Sequence, residues 1–183
     1  MSQPITSPTG LDGVIASGNV PTWIVQEATV TSPLTSESES FPLSALSAAD
    51  TVKADCHHDM GDVTFTRTPE TRSRKRACET VTVTVKTGET IEGTIQAIYD
   101  QQKLGASDVI NAVYEATPEG ATVYVVKAYG HLSTTAPTEA TIVDVYRGKV
   151  TMRSKNQEVE GEDLEFTATL SADLYLEDVT LTA

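Results

Sequence analysis

The chain has 183 residues, enough for one domain with a core of its own. Thirteen basic against 26 acidic residues leave a net charge of −13, which argues against a surface built to hold DNA or RNA. No apolar run reaches the length of a bilayer span, and "MSQPITSPTGLDG" has no positive charge ahead of an apolar stretch, so it does not read as a signal peptide.

Residues 1–20 read as an extended N-terminal arm that a partner would have to hold, and residues 21–183 as one β domain. "TWIVQ" is a short β-prone run. "TSPLTSESESFPLSALSAAD" is loop-like, with one helical turn expected around Leu43 to Ala48, and "TVKADC" is a second candidate strand. Period-two alternation then takes over. "DVTFT" offers Val63 and Phe65. In "ETVTVTVKTGETIEGTIQAIYD", Val81, Val83 and Val85 alternate with Thr80, Thr82 and Thr84, and Lys86 to Glu89 are read as the turn of a β-hairpin.

"ASDVINAVYEATPEG" is the one good helix. Ser107 caps it, Asp108 suits its positive end, and Pro118 and Gly120 close it. Val109, Ile110, Val113 and Ala116 form a stripe at helical spacing, read as a packing face. "ATVYVVKAYG" and "TEATIVDVYRGKVTMRS" are strands. So is "LEFTATL", with Leu164, Phe166, Ala168 and Leu170 inward and Glu165, Thr167 and Thr169 outward, and "DLYLEDVTLT" follows as a last strand. The expected class is mainly β: a β-sandwich or bent antiparallel sheet with one flanking helix.

"ADCHHDMGD", residues 54 to 62, concentrates Cys56, His57, His58 and three aspartates. A structural zinc site wants four ligands in short-spaced pairs, and no CxxC or HxxxH occurs here. A Cys–His nucleophile pair would need Cys56 and His58 to converge with Cys78. The stretch reads instead as a polar turn. No GxGxxG, Walker loop, GxSxG or HExxH occurs, so no catalytic residue, metal or cofactor is assigned. An intracellular site of assembly would keep Cys56 and Cys78 reduced.

Charge is unevenly spread. Arg67, Arg72, Arg74, Lys75, Arg76 and Lys86 are six of the thirteen basic residues, whereas eight acids and no Lys or Arg follow Gln157. Either this is a solvated surface, or a basic loop on one copy meets an acidic face on the next, setting register more than affinity.

Taken together, "TWIV", "TRSRKRACETVTVTVKTGETIEGTIQAIYDQQ", "SDVINAVYEATPEGATVYVVKAYG" and "IVDVYRGKVTMRSKNQEVEGEDLEFTATLSADLYLEDVTLT" resemble the major tail tube proteins of long-tailed, siphovirus-like bacteriophages over residues 21–183. The resemblance implies a structural virion protein of the tail, assembled in the host bacterial cytoplasm. Six copies would form a ring, and rings would stack into the conduit through which double-stranded DNA is ejected without specific binding. Its partners would be itself and other tail proteins such as tape measure and terminator, with no membrane. One sheet of four strands per copy would close a common barrel. About twenty-four strands at ~4.8 Å and ~40° tilt give a circumference near ~150 Å and a bore of roughly 40 Å.

On that reading the basic loop around 67–79 is the inter-ring contact, through Arg67, Arg72, Arg74, Lys75 and Arg76. Thr82, Thr84, Glu92, Thr94, Gln96, Glu165, Thr167 and Thr169 are candidates to line the lumen, where a polar or acidic wall would not hold phosphates. A monomeric Ig-like β-sandwich binding module is the rival reading.

Overall fold

The computed structural model describes residues 18–78, 80–103, 109–158, 160 and 162–183. Ser107 and Asp108, the predicted helix cap, and residues 1–17 of the predicted arm lie outside the described residues. In chain order the elements are β1 (Thr22–Gln26), β2 (Ser40–Pro42), α1 (Leu43–Leu46), β3 (Val52–Lys53), β4 (Val63–Arg74), β5 (Val83–Ile98), α2 (Ala112–Ala116), β6 (Thr122–Lys127), β7 (Ile142–Lys155) and β8 (Glu165–Thr182). Short 3-10 turns cover Glu27–Thr29, Gln101–Lys103 and Val109–Asn111. The mainly β class and the antiparallel, bent sheet are as expected.

The strands form one sheet in the order β3-β1-β6-β7-β8-β5-β4, and β2 lies parallel to β8. Successive side chains on a strand point to opposite faces, so each face collects its own core. On one face Trp23, Val25, Tyr124, Val126 and Leu176 pack under Val30, Phe41 and Leu46 of the β1–β3 connection. On the other, Ile24, Val125, Ile95, Phe166 and Leu170 pack with Val113 and Ala116 of α2. The sheet curls far enough that the Lys127 ammonium on β6 donates to the Val63 carbonyl on β4, at 2.8 Å, yet it does not close on itself.

Bulges make this curl. An extra residue shifts the pleat and flips which parity faces the core. Arg147 pairs with Leu174 but Gly148 with Ala172, so Asp173 is the extra residue on β8. Before it the even positions Phe166, Ala168 and Leu170 face α2, and after it Leu174 and Leu176 face the opposite core. A second extra residue falls between Leu176 and Val179, where Asp178 takes φ 54°. The Asp144 carboxylate accepts the Asp178 N–H at 3.0 Å and holds that left-handed residue. Beyond it the odd positions Val179 and Leu181 are buried.

Four readings need correction. Lys86 to Glu89 do not turn: β5 runs unbroken from Val83 to Ile98, and Thr87 is a bulge residue, since Glu70 pairs with Gly88 and Thr71 with Lys86. The hairpin turn is instead the loop between β4 and β5. "LEFTATL" and "DLYLEDVTLT" are one 18-residue strand, because the bulges bend β8 without breaking it. Leu164 lies before that strand and is 58% exposed. The predicted helix begins as a 3-10 turn whose tighter winding carries Val109 out to solvent, at 73% exposure, while Val113 and Ala116 keep the packing face. The helical turn expected around Leu43 to Ala48 is there as α1.

Candidate assembly surface

β4 and β5 run past the core as a two-stranded extension. Every described residue from Thr66 to Lys86 is exposed, and the loop after Arg74 forms its tip. Its base is fixed by an aromatic column. Phe65 stacks on Tyr146 with ring centroids 3.9 Å apart and planes 6° apart, and Tyr146 stacks on Tyr175 at 4.6 Å. The Arg67 guanidinium lies 4.4 Å over the Tyr175 ring and is hydrogen-bonded by the Glu89 carboxylate, which also takes the Lys86 ammonium. Those two cations, Arg67 first, pull the Glu89 carboxyl down to about 2. Burial, then the charges of Tyr146 and Asp144, push the Tyr175 phenol well above its ordinary range. Gly93 makes the column fit, because a Cβ there would stand 2.3 Å from the Phe65 ring.

Of the five basic candidates, Arg67 is thus engaged at the base of the hairpin. Arg72 and Arg74 lie further out on β4, opposite Val85 and Val83, with Lys75 and Arg76 in the tip. Val83 and Val85 are 46% and 44% exposed, so this face mixes cations with bare valines. Among the described residues no ion pair involves Arg72, Arg74 or Lys75.

The four adjacent strands β4, β5, β8 and β7 share a polar face in three cross-strand rows. Directly opposed residues of an antiparallel pair point the same way. The first row is Thr66, Glu92, Ser171 and Lys149, and the second is Thr64, Thr94, Thr169 and Met152. The third is Gln96, Thr167 and Ser154, beside Glu165, whose carboxylate accepts from the Gln96 amide. Thr64 and Thr94 hydroxyls are 2.8 Å apart. No described element packs over these rows.

Six of the eight residues singled out in the sequence therefore stand together: Glu92, Thr94, Gln96, Glu165, Thr167 and Thr169. Thr84 does not, because the Thr87 bulge turns it to the other face, where its hydroxyl meets that of Ser73 at 3.0 Å. Thr82 precedes β5. The rows also gather residues the sequence reading missed. Thr64 and Thr66 were legible from their alternation with Val63 and Phe65. Met152 and Ser154 were not, because a bulge at Thr151 puts them in register with Thr169 and Thr167.

"ADCHHDMGD" is a turn docked on the far end of β5. The His57 carbonyl accepts from Ile98 N at 2.8 Å and the Asp62 carbonyl from Gln96 N at 3.1 Å. His57 Nε2 lies 2.8 Å from the Val109 carbonyl, and the Asp62 carboxylate accepts from Asp59 N at 2.7 Å. Among the described residues no three His, Cys, Asp or Glu side chains are grouped to hold a metal ion. Cys56 and Cys78 are both free and exposed, one at this turn and the other in the hairpin tip, so the convergence a Cys–His–Cys site needs does not occur.

An uncovered polar sheet continuous with a projecting hairpin is a surface shaped for assembly with other chains. The chain belongs to the phage tail tube protein family, whose model matches residues 9–182. It is a structural protein of the phage tail. A chain of the anti-feeding prophage (AFP) baseplate, known from a 6-fold symmetrised cryo-EM structure, aligns over 96% of this chain and 96% of its own, with 9% identity and a TM-score of 0.45. No curated protein matches in sequence.

Proposed function

We propose that this protein forms closed rings that stack into the tube of the tail, with the rows on β4, β5, β8 and β7 lining the bore. The observation that carries this is the uncovered four-strand polar face, bounded by an outer edge of β4 that no described strand pairs. The outer edge of this twelve-residue strand, beyond the Val63 carbonyl that Lys127 takes, invites pairing with another chain, and circular closure is the arrangement that removes such edges altogether. The side of β7 past Val150, where backbone pairing to the segment before β6 ends and only the Glu119 carboxylate takes an N–H, that of Arg153, is the matching edge on the next copy.

The lining would carry threonines and serines with Glu92 and Glu165 against a single Lys149. Such a wall does not collect phosphates, so double-stranded DNA passes without being held. The ring contains six copies, the partners beyond the chain itself are the tape measure and terminator proteins, and assembly takes place in the host cytoplasm. Residues 1–20 act as an arm, and the basic segment around 67–79 reaches the neighbouring ring.

Negative-stain electron microscopy of the purified protein tests this. Six-fold ring views and hollow tubes are expected. A particle that stays monomeric at every concentration would overturn it.

A further inference from the structure

Two sets of charges in the described residues lack ion-pair partners, and they lie at opposite ends of β5. At the Val83 end is the hairpin tip, with Arg72, Arg74 and Lys75. At the Ile98 end is a cleft of about 420 Å³ walled by His58, Asp59, Asp62, Glu162, Asp163 and Glu165. None of its carboxylates meets a Lys or Arg within ion-pair distance among the described residues. Next to it, the exposed Leu164 lines a neighbouring pocket that shares Ile98 and Asp163, and the exposed Val109 meets His57 through its carbonyl, as the tip carries Val83 and Val85. The two surfaces are complementary in both charge and apolar content.

A copy cannot satisfy itself. Sixteen strand residues at ~3.3 Å each separate tip from cleft by roughly 50 Å. We propose that the hairpin tip of one copy seats in the acidic cleft of a second copy, end to end along the direction of β5. This rests on the tube reading given above and names the surface that receives the basic segment. Because the two surfaces differ, the contact is head to tail, and a head-to-tail contact that does not close on itself propagates as an open stack. Like charges at a wrong register would repel, so the contact also fixes how far one layer is turned on the next.

The chain's two cysteines report on this directly. Cys78 is in the tip, Cys56 lines the cleft, and both are exposed. Tip-in-cleft seating brings Cys78 of one copy beside Cys56 of the next. Assembled wild-type protein treated with a short bis-maleimide should give a ladder of oligomers joined Cys56 to Cys78 by mass spectrometry, and Cys56→Ser or Cys78→Ser alone should abolish it. Charge reversal supplies the second arm. The triple variant Arg72→Glu, Arg74→Glu, Lys75→Glu and the triple variant Asp59→Lys, Glu162→Lys, Asp163→Lys should each need at least ten-fold more protein to assemble. Mixed in equal amounts they should assemble as readily as wild type, because each then offers the tip that the other's cleft accepts. That restoration also shows both variants to be folded.

Wild-type tubes that yield no Cys56–Cys78 link, reversed variants that assemble normally, or a mixture that stays apart would overturn the docking while leaving the tube reading in place. Wild-type protein that never assembles would overturn both.

Discussion

Gly93 has no conformational duty. It is needed because the Phe65 ring occupies the space a side chain would take, which lets the ring reach Tyr146. Gly93→Ala should destabilise the monomer by about 1–3 kcal/mol in urea unfolding, the usual range for overpacking a filled core. Adding Phe65→Ala should remove most of that penalty, since the two changes share one contact and are not additive. The same column sets the tyrosine titration. Tyr175 and Tyr146 are both raised, burial being the larger cause in each. A phenol whose folded pKa lies above its unfolded value of about 10 stabilises fully below that value and loses its contribution as pH rises through the folded one. Tyrosinate absorbance should therefore show a late fraction that coincides with alkaline unfolding, and Tyr175→Phe should diminish it.

The hairpin is an element whose shape owes more to its ladder than to burial. Its exposed residues bury little, and its hydrogen bonds lie close to water, so its amides beyond Thr68 should exchange far faster than those of β7 and β8. At its base the Arg67–Glu89–Lys86 group adds to the aromatic column. Glu89 is depressed from 4.5 to about 2, so its contribution is present above pH 4.5 and is lost as pH falls through 2. A carboxyl NMR titration of Glu89 should show a midpoint near 2, and Arg67→Ala should raise it. Over the same range the extension should remain attached to the stacked rings beneath it.

At the scale of the whole molecule, the tube reading makes the open sheet one segment of a larger one. An assembled ring binds only folded copies, so its apparent thermal stability should rise with protein concentration, as mass action requires. A calorimetric midpoint that does not move between dilute and concentrated samples would count against ring closure. The net charge of −13 sets a second expectation. On the docking proposal, copies repel at long range and attract only where tip meets cleft. Raising salt should therefore promote contact between like-charged bodies while weakening the paired patches, and tube length should pass through an optimum.

Much of this was legible in the chain. A β-prone apolar run located β1 within "TWIVQ", and strict alternation located the inward Phe166, Ala168 and Leu170 and six residues of the polar face, because pleat and period are local properties of the backbone. The eight acids after Gln157 and the basic run before β5 were equally plain. Bulges were not legible. Thr87, Asp173 and Thr151 carry no local mark that distinguishes a bulge from a continuing strand or a turn. Whether an extra residue is accommodated depends on the partner strand's register, which is decided across the sheet. Apolar content, alternation and charge accumulation are set residue by residue along the chain. Which parity faces which core, why Thr84 leaves the polar face, and that the tip and the acidic cleft lie at opposite ends of one strand follow from long-range pairing, which exists only in the folded sheet.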